Sequence, residues 1–182
     1  VTPHGQIERI DNAHTGLTLP DNDLCMQAAW ALQQATGTRL GARLWLHKHL
    51  PAQAGLGGGS SDAATCLVAL NKLWNPGLNQ QPLCDIAVKL GADVPFFVRG
   101  HNAFVQGIGE HITPITVPST AVWIVKPNAG VSTPALFKSN ELTRNTAAID
   151  LSTLCNLPSD KLWAFGCNDL QDVAQTLCPD IN

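Results

Sequence analysis

Apolar positions along this chain follow a mostly helical period as far as Gly91 and a period of two beyond it. The first 21 residues are polar and turn-rich, with one short strand expected around Gln6–Ile10. Asn22 and Asp23 offer an N-cap to a helix carrying Leu24, Ala28, Ala31, Leu32 and Ala35 on one face, and Gly37 ends it. Leu40, Ala42, Leu44 and Leu46 then alternate with Arg39, Gly41, Arg43, Trp45 and His47, the mark of a half-buried strand. A glycine-rich loop leads into a helix from about Ser61 to Trp74, apolar at Ala64, Leu67, Val68 and Leu70. Pro82 opens a third helix with Leu83, Ile86, Ala87 and Leu90 inward and Gly91 as its stop. Past that point Phe96–Val98, Ala103–Gln106, Ile112–Ile115 and Ala121–Val125 read as short strands between Gly or Pro turns. Thr133 caps a further short helix with Pro134 in its first turn, and a last helix is expected from Asn168 with Leu170, Val173, Ala174 and Leu177 on one side. Strands and helices interleave without a regular βαβ repeat, so the predicted class is a two-layer α+β fold.

Composition narrows the function classes. The 182 residues are enough for one domain, or one and a half if cut from a longer chain. Only 14% are charged and the net charge is −3, which argues against a nucleic-acid surface. Six cysteines are scattered without a C-x-x-C pair, so neither a zinc site nor a disulfide scaffold is indicated and a reducing compartment is expected. No apolar run approaches the roughly 20 residues of a membrane span, and Val1–Gly5 has no signal-segment pattern. A cytoplasmic protein without membrane partners is the expectation. His47, His49 and His101 fall in different elements without ligand spacing and read as surface or satisfied polar residues. The chain opens without Met on a loop and closes after an unfinished amphipathic pattern, so both ends read as cuts.

The most informative stretch is Pro51-Ala52-Gln53-Ala54-Gly55-Leu56-Gly57-Gly58-Gly59-Ser60-Ser61, followed by Asp62-Ala63-Ala64. It joins a strand to a helix. Its glycines allow positive φ and close approach of a bulky anion, while the following helix points free N–H groups and its positive dipole end into the loop. That combination makes a phosphate cradle. Ser60 and Ser61 add hydroxyls, one of which can reach a magnesium ion held by the phosphates. It is not a Walker A loop, because no Gly-Lys-Ser/Thr closes it, and Ser60 breaks the G-x-G-x-x-G spacing of a dinucleotide fold.

A second block, Leu90-Gly91-Ala92-Asp93-Val94-Pro95-Phe96-Phe97-Val98-Arg99-Gly100, places one carboxylate between a helix-ending Gly and an apolar strand start. A partly buried Asp on a turn stiffened by Pro95, which pushes Val94 toward extended geometry, either caps local backbone N–H groups or does chemistry.

Together these segments resemble the GHMP small-molecule kinases. The loop is similar to their P-x-x-x-G-L-G-G-G-S-S-D/N-A-A signature, and the triple glycine with the L-G-A-D-V-P-x-F block is similar to the 4-diphosphocytidyl-2-C-methyl-D-erythritol kinases of non-mevalonate isoprenoid synthesis. Arg99–Phe104 with Gly107-Ile108-Gly109-Glu110 resembles a further R-G-x-A-x-x-x-G-x-G-E block, and Asn168-Asp169-Leu170 a late N-D-L/F segment. The resemblance implies an ATP- and magnesium-dependent kinase with a small-molecule substrate. It implies Asp93 as catalytic base or orienting group, Lys48 and residues 51–61 on the nucleotide, Ser61 toward magnesium, and Ile108 and Thr133 on the diphosphocytidyl substrate. It implies a ribosomal protein S5-like N-terminal domain at 1–117, missing its first strands, and the start of a C-terminal α+β domain at 118–182. The family's early P-A-K-L/I-N and G-Y/F-H segments and its late G-S/T-G-x-x-x-F segment are absent from this sequence. Rival expectations are therefore a homoserine- or mevalonate-type kinase, or a nucleotide-binding piece without activity.

Overall fold

A computed structural model describes residues 1–11, 19–50, 54–158 and 160–182. They form two compact units, Val1–Pro51 with Leu56–Pro114, and Ala52–Gly55 with Ile115–Asn182.

In the first unit β1 (Ile7–Asp11) pairs in parallel with β2 (Ala42–Leu46), Ile7 opposite Ala42 and Asp11 opposite Leu46. Parallel neighbours need a long crossover, and α1 (Leu24–Thr36) supplies it. Asp23 caps α1, its carboxylate accepting from the N–H groups of Cys25 at 2.6 Å and Met26 at 3.2 Å. The same carboxylate is ion-paired with Arg9 of β1, which ties the strand to the start of its crossover helix. Gly37 closes α1 in the left-handed conformation expected of a C-terminal glycine.

Three helices follow: α2 (Gly58–Trp74), α3 (Gln80–Ala87) and α4 (Val94–Arg99). Small buried residues, Ala28 and Ala29 on α1 and Ala63 and Ala64 on α2, let these two helices approach closely around Leu32 and Leu67. The core then runs through Leu70, Leu83, Ala87 and Val94 to α3 and α4. A hairpin of β3 (Ala103–Gln106) and β4 (His111–Pro114) completes the unit, with Ala103 opposite Pro114.

Several expected boundaries move. Helix α2 starts at Gly58 rather than Ser61, because Gly58, Gly59 and Ser60 already take helical turns. Pro82 lies inside the first turn of α3 rather than opening it. Residues 96–98 are helical rather than a strand: Val94, Pro95 and Val98 are the buried positions of α4, a one-turn spacing, and Pro95 occupies the first turn where its missing N–H costs nothing. Val94 is therefore helical rather than extended.

The second unit contains α5 (Thr133–Lys138), α6 (Leu151–Cys155), α7 (Gln171–Leu177) and short 3₁₀ turns at Leu162–Ala164 and Pro179–Ile181. Leu136, Leu142 and Val173 form its small core. Ser132, not Thr133, is the N-cap of α5. Asn168 precedes α7 in a turn, where its side-chain oxygen accepts from the N–H of Leu170 at 3.1 Å, so the helix itself begins three residues later at Gln171. The expected strand at 121–125 is in no ladder among the described residues, and its Trp123 is 98% exposed. Its β-branched and aromatic residues fit a pleated surface, but a strand exists only with a partner to pair it.

Candidate functional site

Helix α2 reaches the loop end with no side-chain cap. Its N-cap, Gly57, is left-handed at φ 65°, and the first intrahelical bond runs from Ser61 N–H to the Gly57 carbonyl at 2.8 Å. The N–H groups of Gly58, Gly59 and Ser60 precede that bond and are left at the helix end. Gly57 must be glycine for a second reason: a Cβ there would stand 2.8 Å from Cζ of Phe97. The Phe97 ring thus packs α4 against the start of α2. Gly58 and Gly59, by contrast, are not among the glycines with positive φ.

Asp93 is the N-cap residue of α4 but makes no side-chain cap bond, and it is exposed. This corrects the expectation of partial burial. Val94 and Pro95 take the buried positions, and the Gly91–Asp93 turn stays at the surface, with Val94 N–H bonded to the Gly91 carbonyl at 3.2 Å. A capping role is therefore not what occupies this carboxylate.

Lys48 follows β2, and its ammonium is ion-paired with Asp62 in the first turns of α2. The lysine side chain is only 16% exposed, while that of Asp62 is 35% exposed. The pair clamps the two ends of the glycine-rich loop. Asp62 carried no assigned role in the sequence; an acid one residue after the paired serines, opposite a lysine before the loop, was the available signal.

The β3–β4 turn comes to the same place. A Cβ on Gly109 would overlap the carbonyl oxygen of Ala92 and stand 2.8 Å from its carbon, so the turn lies directly on the peptide before Asp93. Ile108 is 73% exposed at the tip of that turn. The first unit therefore ties Lys48 to the start of α2 through Asp62, α4 to Gly57 through Phe97, and the turn bearing Ile108 to the peptide before Asp93.

Other predicted positions lie elsewhere. Pro51, Ala52 and Gln53 fall outside the described residues. Leu56 is half-buried in the first unit, while Ala54 and Gly55 belong to the second. In that second unit Thr133 opens α5 and borders a cavity of about 560 Å³ with Val131, Leu136, Leu170 and Ala174. Among the described residues no group of three or more His, Cys, Asp or Glu could hold a metal ion by itself. Cys25 and Cys66, buried behind the start of α2, are no nucleophiles: desolvation above all pushes both thiols up to about 12.

Comparison with known proteins finds a family match over part of the chain and relatives over nearly all of it. Residues 23–101 match the GHMP kinases N terminal domain. The chain is 50% identical over 182 residues to a 4-diphosphocytidyl-2-C-methyl-D-erythritol kinase of Polaromonas naphthalenivorans, covering 98% of this chain and 61% of that protein. It is 50% identical over 184 residues to the protein of the same name from Paracidovorax citrulli, covering 99% of this chain and 62% of that one. A crystal structure of a 4-(cytidine 5'-diphospho)-2C-methyl-D-erythritol kinase superposes with a TM-score of 0.71 at 29% identity, over 99% of this chain and 63% of the other. The chain thus spans about three fifths of the length of the curated relatives it matches.

Proposed function

We propose that this chain belongs to the GHMP kinases, a reading supported by the match of residues 23–101 and by its relatives, and that its protein transfers the γ-phosphoryl group of ATP to the 2-hydroxyl of 4-diphosphocytidyl-2-C-methyl-D-erythritol. This is a step of non-mevalonate isoprenoid precursor synthesis, carried out in the cytoplasm. The observation that carries the reading is the convergence in one unit of an uncapped, glycine-led helix start and an exposed carboxylate with no structural bond to make.

In this account the phosphates of ATP rest on the N–H groups of Gly58, Gly59 and Ser60 at the positive end of α2, beside Gly57. Lys48 adds a cation, held in place by Asp62. The hydroxyls of Ser60 and Ser61 are oxygen donors of the kind a hard divalent cation takes, so Ser61 would contribute to magnesium bound by the nucleotide, whose charge neutralises the phosphates. Asp93 orients the acceptor hydroxyl and receives its proton as that oxygen bonds to the γ-phosphorus and the bond to the β–γ bridging oxygen breaks, releasing ADP. Ile108 would contact the diphosphocytidyl acceptor. The nucleotide-binding part is assigned to residues 1–117 and the start of a second domain to 118–182. No described helix is long and apolar enough to cross a membrane.

The test is Asp93→Asn in the full-length protein. Loss of a base or orienting group lowers kcat by about 10²-fold or more with ATP affinity unchanged, because the amide keeps the shape. Turnover within about threefold of wild type would remove Asp93 from the mechanism.

A further inference from the structure

The Gly107–Glu110 turn between β3 and β4, which presses on the peptide before Asp93, holds a second carboxylate in a very different state. Oε2 of Glu110 accepts the N–H of Ile108 at 2.6 Å. The carboxyl group lies over Gly107, where a Cβ would come within 2.6 Å of its carbon, and Gly107 is left-handed at φ 71°. Gly109, at φ 113°, closes the turn with an N–H bond to the Gln106 carbonyl at 3.3 Å and presses on Ala92. Both glycines are thus required by a close approach, one by the Glu110 carboxylate and the other by the peptide that precedes Asp93.

The carboxyl group of Glu110 is held below its ordinary value, chiefly by hydrogen bonds from its own N–H and that of Ile108, with a smaller contribution from His111, whose Nε2 is 3.5 Å from Oε1. An acid committed to backbone N–H groups in its charged form is poorly suited to exchange protons with a substrate. Its work is geometric: it fixes the turn that exposes Ile108 and braces Ala92.

We propose that Glu110 is a positioning residue for the phosphoryl acceptor, setting Ile108 and the Ala92–Asp93 peptide relative to one another while leaving the nucleotide untouched. The proposal rests on the reading of Asp93 and Ile108 given above. Side chains that hold reacting groups in register matter steeply, since a misplacement of about 1 Å costs up to about 10²-fold.

The experiment compares Glu110→Ala, Glu110→Gln and Asp93→Asn in the full-length protein, with kcat and KM for the acceptor, ATP affinity by calorimetry, and the amide NMR signal of Ile108. Glu110→Ala is expected to lower acceptor kcat/KM by about 10- to 100-fold with ATP affinity within about twofold of wild type. Glu110→Gln should recover part of that loss, because the amide oxygen still accepts the Ile108 N–H. In the wild type the Ile108 amide proton should move upfield as pH falls through the Glu110 titration, with a midpoint below that of an ordinary glutamate. Normal acceptor kinetics in Glu110→Ala, alongside an inactive Asp93→Asn, would overturn the positioning role and leave the reading of Asp93 standing. Equal loss of ATP and acceptor binding would also overturn it. A fully active Asp93→Asn would overturn the underlying reading, and this role with it.

Discussion

Replacing Gly57 by alanine tests the loop's geometry with a magnitude that follows from two separate contacts. At φ 65° an L-residue costs about 1–2 kcal/mol relative to glycine. The new methyl group would also lie 2.8 and 2.9 Å from Cζ and Cε2 of Phe97, so the ring or the loop must move. Overpacking of that kind costs about 1–3 kcal/mol, giving a total of about 2–5 kcal/mol. For a chain of this size each kcal/mol shifts Tm by about 2–4 °C, so the expected loss is about 4–20 °C. Gly58→Ala is the control: Gly58 is helical without positive φ, and its new Cβ meets nothing closer than Cδ1 of Leu50 at 3.4 Å, so Tm should stay within about 2 °C. Thermal unfolding of both variants gives the stability term, and ATP calorimetry below both transitions gives the functional one. Gly57→Ala should weaken ATP by about tenfold, because a shifted helix start no longer aligns its amides with the phosphates. Wild-type Tm and wild-type ATP affinity in Gly57→Ala would refute the argument.

The Lys48–Asp62 pair separates charge from clamping. Lys48→Met should weaken ATP by about tenfold or more, the worth of a charge-assisted contact, whereas Asp62→Asn keeps the cation, loses only its clamp and should cost less than about threefold. Equal losses in calorimetry would make the pair structural only. Among the thiols, Cys155 and Cys167 are exposed and should react with a disulfide reagent in the native protein at pH 8, Cys167 the more slowly because the Asp169 carboxylate beside it pushes its thiol up. Cys25 and Cys66 should wait for unfolding, because thiols pushed to about 12 are almost wholly protonated there; prompt labelling of either in the native protein would contradict their burial.

Where the chain's local signals agree with its packing, the sequence was a sufficient guide. The N-cap Asp23, the C-terminal Gly37, the alternation through Ala42–Leu46 and the β3 strand all appear as their residue types dictate. Reading failed where tertiary contacts decide. Val94-Pro95-Phe96-Phe97 has strand-like residue types, yet burial of Val94, Pro95 and Val98 makes it a helix. Residues 121–125 have the same character and stay unpaired, because a ladder needs a partner that sequence pattern cannot supply. In the candidate site, the glycines and Asp93 stand out in the sequence because their residue types are unusual in such settings. Asp62, Phe97 and Glu110 do not, since each matters through one contact made across the chain: with Lys48, with Gly57 and with the Ile108 N–H.

Steady-state kinetics of the full-length protein on a panel of acceptors measures most directly which alcohol receives the phosphoryl group. Preference is defined by kcat/KM, since that ratio reports differential binding of the transition state. With Mg-ATP as donor, kcat/KM for 4-diphosphocytidyl-2-C-methyl-D-erythritol should exceed those for mevalonate, homoserine and galactose by about 10²-fold or more, and phosphorus NMR of the product should show a new monoester at the 2-hydroxyl. Comparable or higher efficiency on mevalonate or homoserine, or no turnover of the diphosphocytidyl alcohol, would contradict the account.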